Sequence, residues 1–285
     1  MKPLSNWPFD FDGKVPSVGE RPGFPVQLNP DKSYQFATKS VAAAAASIAS
    51  ATGQNDLKEL FQGGVSEGLG LDLAVRARMV RRLAEQGVRD APVLAAMRAV
   101  ERHHFVDTAF APMAYEDTSL PIGFGQTISK PNVVARMLEL LQQGRVDASG
   151  KLGRVLEIGT GCGYQTAVLS HLASEVYSME RLRGLHHKAR ENLRSLRLAN
   201  VHLLFGDGMQ GFAKGAPYAA IIAAAGGEAI PPAWIEQLAL GGRLVAPLQD
   251  ASGAQALVVI DKTAQGIRQT LLEAVHFVPL KSGVG

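Results

Sequence analysis

The residues best suited to chemistry lie in one short run, Glu157-Ile158-Gly159-Thr160-Gly161-Cys162-Gly163. Three glycines alternate with other residues directly after the short run Val155-Leu156-Glu157-Ile158. Glycine permits tight turns and lets a ligand approach the backbone. The junction of a buried strand with a helix is where nucleotide-like ligands bind in α/β sheets. A dinucleotide fingerprint, G-x-G-x-x-G, does not fit: its third glycine would fall at Tyr164 or, counted from Gly161, at Thr166. Glu157 adds a second discriminator. A carboxylate repels a pyrophosphate but attracts the ammonium of an amino-acid moiety, directly or through water. S-adenosylmethionine carries such an ammonium, and it is the cofactor these residues imply.

Two further acids fall where that cofactor would need them. Glu180 ends the next apolar run, nineteen residues after Gly161. That is near the spacing at which an acid meets ribose hydroxyls, and one carboxylate can accept from both. The bland alternative is a surface acid paired with Arg181 or Arg183. Asp207, in Gly206-Asp207-Gly208, follows the third strand and can accept from an adenine amino group; an Asp-Gly turn competes with that reading. Cys162 reads as a small loop filler rather than a reactive thiol. Tyr164 and Trp234 read as packing residues. His103-His104 and His186-His187 are neighbours in sequence and are expected to point apart, so no metal site is expected.

The elements that must hold these residues follow from periodicity. After Gly153 the chain alternates: strands at 155–158, 176–179, 201–205, 219–224 and 243–247, with helices at 164–172, 185–196 and 234–238. Residues 256–260 and 273–277 read as a closing pair. The apolar run from Ala219 to Ala224 suits the middle of a parallel sheet. This alternation argues an α/β, Rossmann-like, doubly wound and mostly parallel sheet. Upstream, helices are expected at 74–86, after a cap at Asp90 with Pro92 in its first turn, and at 131–143. Between them, 105–128 is irregular, and a long loop inside a domain is usually functional. Three regions result: an extension over residues 1–70, a helical lid segment over 71–150, and a cofactor-binding core over 151–285.

Composition narrows the class. In 285 residues, 46% are hydrophobic, which suits a packed globular protein. The 29 basic side chains are scattered among 26 acidic ones, so a mixed solvated surface is expected and no nucleic-acid partner. One cysteine excludes an intrachain disulfide and suits a cytoplasmic location. No apolar run reaches the roughly 18 residues of a membrane span. The alanine-serine tract at 41–52 is weakly hydrophobic and far from Met1, which argues against an export signal; it reads as part of a linker.

Several segments together resemble the protein-L-isoaspartate O-methyltransferase family. They are Met79-Val80-Arg81-Arg82-Leu83, Arg102-His103-His104-Phe105-Val106, the run from Leu120 to Pro131 containing Gly125-Gln126-Thr127-Ile128-Ser129, the glycine loop, Tyr177 to Arg181, Gly241 to Pro247 and Phe277-Val278-Pro279-Leu280. The resemblance covers roughly 75–282. It implies methyl transfer from S-adenosylmethionine, with S-adenosylhomocysteine as product, to the free carboxyl of L-isoaspartyl residues in damaged proteins; the ester then cyclises to a succinimide. It implies that Ser129 is the catalytic residue. The cofactor would be held by Thr127, Ile128, Glu157, Gly159, Thr160, Gly161, Gly163, Glu180, Arg181, Asp207 and Gly208. The partners implied are isoaspartyl peptides and proteins, met by a monomer. From spacing alone Ser129 also reads as a helix cap ahead of Pro131. Two departures bear on the substrate pocket: Ala219, where the family often has aspartate, and Ala223-Ala224-Ala225 leading into Gly226-Gly227 near the end of the fourth strand, where it often has Thr-Ala-Ala. The alternatives are a different methyl acceptor, a silent methyltransferase-fold binding protein and, more distantly, a nicotinamide oxidoreductase.

Overall fold

Two apolar faces organise the chain, and the strands alternate between them. Val155, Ile222, Val245 and Val259 join one buried cluster. Their sequence neighbours Leu156, Ile221, Leu244 and Val258 join the other. Side chains of a strand point alternately to opposite faces, so a sheet covered on both sides needs these continuous apolar runs. The computed structural model describes residues 67–144 and 147–285. The expected extension over 1–70, with its alanine tract, lies outside these residues except for its last four.

The first described helix, α1, spans Glu67–Glu85. It ends at Gly87, whose φ is +103°. There Val88 N–H donates to Leu83 O and Gly87 N–H to Ala84 O, closing the carbonyls that a helix end leaves free. Helix α2, Ala91–Ala99, starts as expected: the Asp90 carboxylate accepts from Val93 N–H at 2.9 Å, and Pro92 lies in the first turn. Short 3-10 turns follow at Arg102–Phe105 and Thr108–Met113. The stretch expected to be irregular then contains a hairpin: β1, Leu120–Gly123, pairs antiparallel with β2, Gln126–Ile128. Helix α3 covers Pro131–Gln142.

The core is a seven-stranded sheet. Its strands are β3 (Leu152–Ile158), β4 (Ala173–Glu180), β5 (Val201–Phe205), β6 (Tyr218–Ala223), β7 (Leu238–Gln249), β8 (Gln255–Thr263) and β9 (Gly266–Val275). The spatial order is β5-β4-β3-β6-β7-β8-β9. The strands from β3 to β7 pair in parallel, and β8 and β9 are antiparallel. This is the expected α/β class. The chain winds outward from β3 through β4 to β5, then returns to β6 on the other side of β3. That reversal opens a crevice at the carboxyl ends of the strands.

The two faces are covered unequally. Helices α4 (Tyr164–Leu172) and α5 (Arg183–Arg194) join α1, α2 and α3 over the face bearing Val155. The opposite face carries the six-residue helix α6, Pro232–Gln237, whose Trp234 is buried and donates its indole N–H to Gly208 O at 2.8 Å.

Candidate active site

The crevice is a cavity of about 410 Å³, within the range of small-molecule sites. Its floor is made by the ends of β3, β4 and β6 and by Gly208 after β5; its walls are the β1–β2 hairpin and residues 278–281. The glycine loop leaves β3 with φ of +89° at Gly159, +57° at Gly161 and +92° at Gly163. An L side chain adopts such angles only with strain. Gly159 and Thr160 N–H both donate to Met179 O, which ties the loop to the end of β4. A Cβ at Gly208 would lie 2.6 Å from Ile158 Cγ2, so the backbone there can approach the floor only as glycine.

Most of the expected site residues meet here. Thr127, Ile128 and Ser129 come from the hairpin side; Gly159, Thr160, Gly161, Glu180, Arg181 and Gly208 come from the sheet. Glu180 is nearly buried and orders its surroundings. One carboxylate oxygen accepts from Gly161 N–H at 2.9 Å and the other from Leu182 N–H at 2.9 Å. A carboxylate oxygen has capacity for a second donor, so Glu180 can still accept from two hydroxyls. Ser129 is not a helix cap. The residue capping α3 is Lys130, without a side-chain bond, and among the described residues the Ser129 hydroxyl makes no hydrogen bond. Its carbonyl is instead held by Arg102 Nη2 at 2.7 Å.

Three expected residues do not reach the cavity wall. Glu157 is 0% exposed, so a direct contact between its carboxylate and a cofactor ammonium does not fit. One of its oxygens accepts from the Gln165 amide at 3.0 Å, the other from the Thr166 and Ser178 hydroxyls. Ser178 in turn meets Thr160 Oγ1 at 2.7 Å, so Glu157 braces the glycine loop from beneath. Burial, with a small addition from Glu180, pushes its carboxyl up to about 7 against the pull of its three donors. Gly163 is the left-handed residue that starts α4; a Cβ there would lie 3.0 Å from Leu193 Cδ1. Asp207 has both oxygens engaged, accepting from Met209 N–H at 2.9 Å and Gly283 N–H at 2.8 Å.

Other contributors were not singled out from the sequence. Gln165 reaches the cavity while donating to Glu157, and Phe124 and Lys281 line it. Arg102 is fully buried, donating Nε to Ala114 O and Nη2 to Ser129 O, with its guanidinium 4.7 Å from the Tyr164 ring centre. The family departures divide. Ala224 and Ala225 line the cavity, whereas Ala219 packs near Gly153, away from it. Tyr164 is a buried packing residue, edge-on to Phe105, that also borders the cavity. Cys162 is buried.

The expectation that neighbouring histidines diverge fails at His103 and His104. The 3-10 turn Arg102–Phe105 brings their rings to 4.1 Å, and with Glu101 their ligand atoms lie within 4.8 Å of one another. These atoms are already engaged: His104 Nε2 with Glu101 at 2.9 Å, His103 Nδ1 with the Tyr115 hydroxyl at 2.7 Å, and Glu101 with Arg76 at 3.2 Å.

A loop with glycine at every second position, a strand-end carboxylate and a cavity of this size fit S-adenosylmethionine. Fold and site together define a class I methyltransferase dependent on that cofactor. Residues 74–285 match the family described as protein-L-isoaspartate(D-aspartate) O-methyltransferase, and the chain belongs to that family. It is 62% identical over 228 residues to a protein-L-isoaspartate O-methyltransferase of Methylibium petroleiphilum, covering 79% of this chain and 84% of that protein. It is 58% identical over 229 residues to the one of Leptothrix cholodnii, covering 79% and 80%. Among solved structures, a protein-L-isoaspartate O-methyltransferase aligns at a TM-score of 0.66 with 27% identity, over 74% of this chain and 67% of that one. A Plasmodium falciparum structure in complex with S-adenosyl-L-homocysteine aligns at 0.62 with 24% identity, over 72% and 98%, and shares the fold.

Proposed function

We propose that the cavity carries out the family's reaction, methylation of the free carboxyl of L-isoaspartyl residues in peptides and proteins, with Ser129 orienting the acceptor. The observation that carries the assignment of Ser129 is its place in the cavity lining, with a hydroxyl that makes no hydrogen bond among the described residues, and a carbonyl pinned by Arg102.

An isoaspartyl carboxylate is ionised at neutral pH, since such groups titrate near 4, so the acceptor needs no general base. Bound S-adenosylmethionine supplies a methyl group on a sulfonium that departs as a neutral thioether. The protein's work is alignment and exclusion of water. Glu180 would hold the two hydroxyls of the ribose, and the glycine positions 159 and 161 would admit the amino-acid end. Ser129 donates its hydroxyl hydrogen to one carboxylate oxygen and leaves the other free to meet the methyl carbon. Thr127 and Ile128 close the wall beside it. The segment from 71 to 150 acts as a lid on the core from 151 to 285.

Two further parts of this reading concern setting. The enzyme works as a monomer, which sedimentation at micromolar concentration tests. It works in the cytoplasm; its single cysteine is buried and unpaired, and no described helix is long and apolar enough to cross a membrane.

The central test offers labelled S-adenosylmethionine to matched peptides carrying L-isoaspartyl or L-aspartyl at one position. Base-labile label on the isoaspartyl peptide alone, falling about 100-fold in kcat with Ser129→Ala, supports the assignment. Equal labelling of both peptides, or an unchanged kcat in the variant, removes Ser129 from the role.

A further inference from the structure

We propose that Phe124 and Gly184 form a latch that holds the β1–β2 hairpin over the cofactor cavity, making both positioning residues for methyl transfer; this rests on the cofactor assignment above.

Phe124 sits at the hairpin tip with φ of +55°, between Gly123 at +93° and Gly125 at +68°. Glycine adopts such angles freely, but a bulky aromatic residue is strained there and stays only if its surroundings hold it. The core does not hold it, for Phe124 is 63% exposed. What the ring meets is α5. A Cβ built on Gly184 would lie 2.5 Å from Phe124 Cε1 and 2.7 Å from Cε2, and closer still to Cζ. The ring therefore rests on the one surface of α5 that lacks a side chain.

A second tie lies one turn further along the same helix face. Lys188 Nζ donates to Ile122 O at 3.0 Å and to Asp107 Oδ1 at 2.8 Å. So α5 holds the hairpin backbone by an ammonium and the hairpin tip by an aromatic ring. The hairpin needs such ties, because a two-stranded sheet of 4 and 3 residues has little stability of its own. The geometry matters for function because the ring joins two walls of the cavity. Ile122 and Phe124 line it from the hairpin, Leu182 and Leu185 from the start of α5, and Ser129 follows β2 directly. Lifting the hairpin to release cofactor must break the Phe124–Gly184 contact, and the same motion displaces Ser129.

The latch makes retention fall without a matching loss of stability. Gly184→Ala inserts a methyl group where the ring lies. The ring is at the end of an exposed side chain and can swing away, so folding is preserved while the tie is lost. Phe124→Gly removes both the ring and the strain at φ +55°.

The test uses the full chain and measures dissociation of S-adenosyl-L-homocysteine by radioligand chase, with melting temperature in parallel. Gly184→Ala is expected to speed dissociation about five-fold, the scale of one lost aromatic contact, with a melting temperature close to wild type. Phe124→Gly is expected to speed it by a similar factor while melting at or above the wild-type temperature. The double variant should be no faster than either single one, because both break the same contact. Unchanged dissociation in Gly184→Ala, or a double variant showing the product of the two single effects, overturns the latch. So does a fall in melting temperature that accounts for the faster release. Wild-type binding of S-adenosyl-L-homocysteine and isoaspartyl methylation are measured in the same series. If the wild type fails these, the cofactor assignment is at fault; if it passes and the variants do not respond, the latch alone fails.

Discussion

Glu157→Gln separates what burial does at the base of the glycine loop from what charge does. The Glu157 carboxyl is fully buried, and desolvation raises it to about 7 although Ser178, Thr166 and Gln165 all favour the ionised form. Its ordinary value is 4.5. Between these limits the folded protein binds more protons than the unfolded chain. The associated stability is therefore fully present below pH 4.5 and is lost as the pH rises through 7. Its size is on the order of 3 kcal/mol, with a steepest slope near 1.4 kcal/mol per pH unit. The assay is urea denaturation of wild type and Glu157→Gln at intervals from pH 5 to pH 8. Glutamine has nearly the same shape and does not titrate, so the difference between the two curves isolates this group. Wild type should lose about 2–3 kcal/mol relative to the variant across that range. A flat difference curve would falsify the claim that burial dominates. Flatness over that range is what a carboxylate charged throughout would give, with the three donors outweighing burial, because the folded and unfolded chains would then bind the same number of protons.

Two further predictions concern the cavity wall. Arg102→Met leaves Ala114 O and Ser129 O without their buried donor. Unsatisfied buried groups cost about 1–3 kcal/mol each, so chemical denaturation should register a loss of about 2–5 kcal/mol; kcat should fall as Ser129 loses its anchor. A stability within about 0.5 kcal/mol of wild type, small beside the cost of one unmet acceptor, would mean water or rearranged donors replace the guanidinium. Glu180→Gln removes a charged acceptor that faces Gly161 N–H, Leu182 N–H and, in the proposed role, two ribose hydroxyls. Calorimetry should record at least about a ten-fold weaker affinity for S-adenosyl-L-homocysteine, with KM for the peptide little changed.

What the sequence made legible follows from how local each part is. Strand β5 at Val201–Phe205 and helix α4 at Tyr164–Leu172 match the periodicity reading end to end, because each is bounded by its own turn residues. Strand β9 does not match. It was expected at 273–277 but spans Gly266–Val275, and nearly all of it is exposed at the sheet edge, so no apolar alternation marks it. Its register comes from pairing with β8. The hairpin was invisible for a related reason: strands of 4 and 3 residues, interrupted by Pro121, Gly123 and Gly125, carry no period. Glu157 shows a signal that the alternation of its strand already carried. Leu156 and Ile158 belong to the face of α6, so the residue between them must point the other way, beneath α4, where Gln165 and Thr166 meet it. Its place before the glycine loop suggests a ligand contact, whereas the alternation of its strand turns the carboxylate beneath the loop. Glu180 differs because it ends β4, where the chain leaves the pleat, and it lines the crevice while accepting from Gly161 N–H. The cofactor floor is thus assembled from strand ends that short sequence runs announce. The wall that sets access comes from 120–129 and 278–281, segments over 140 residues apart that only the folded chain brings together.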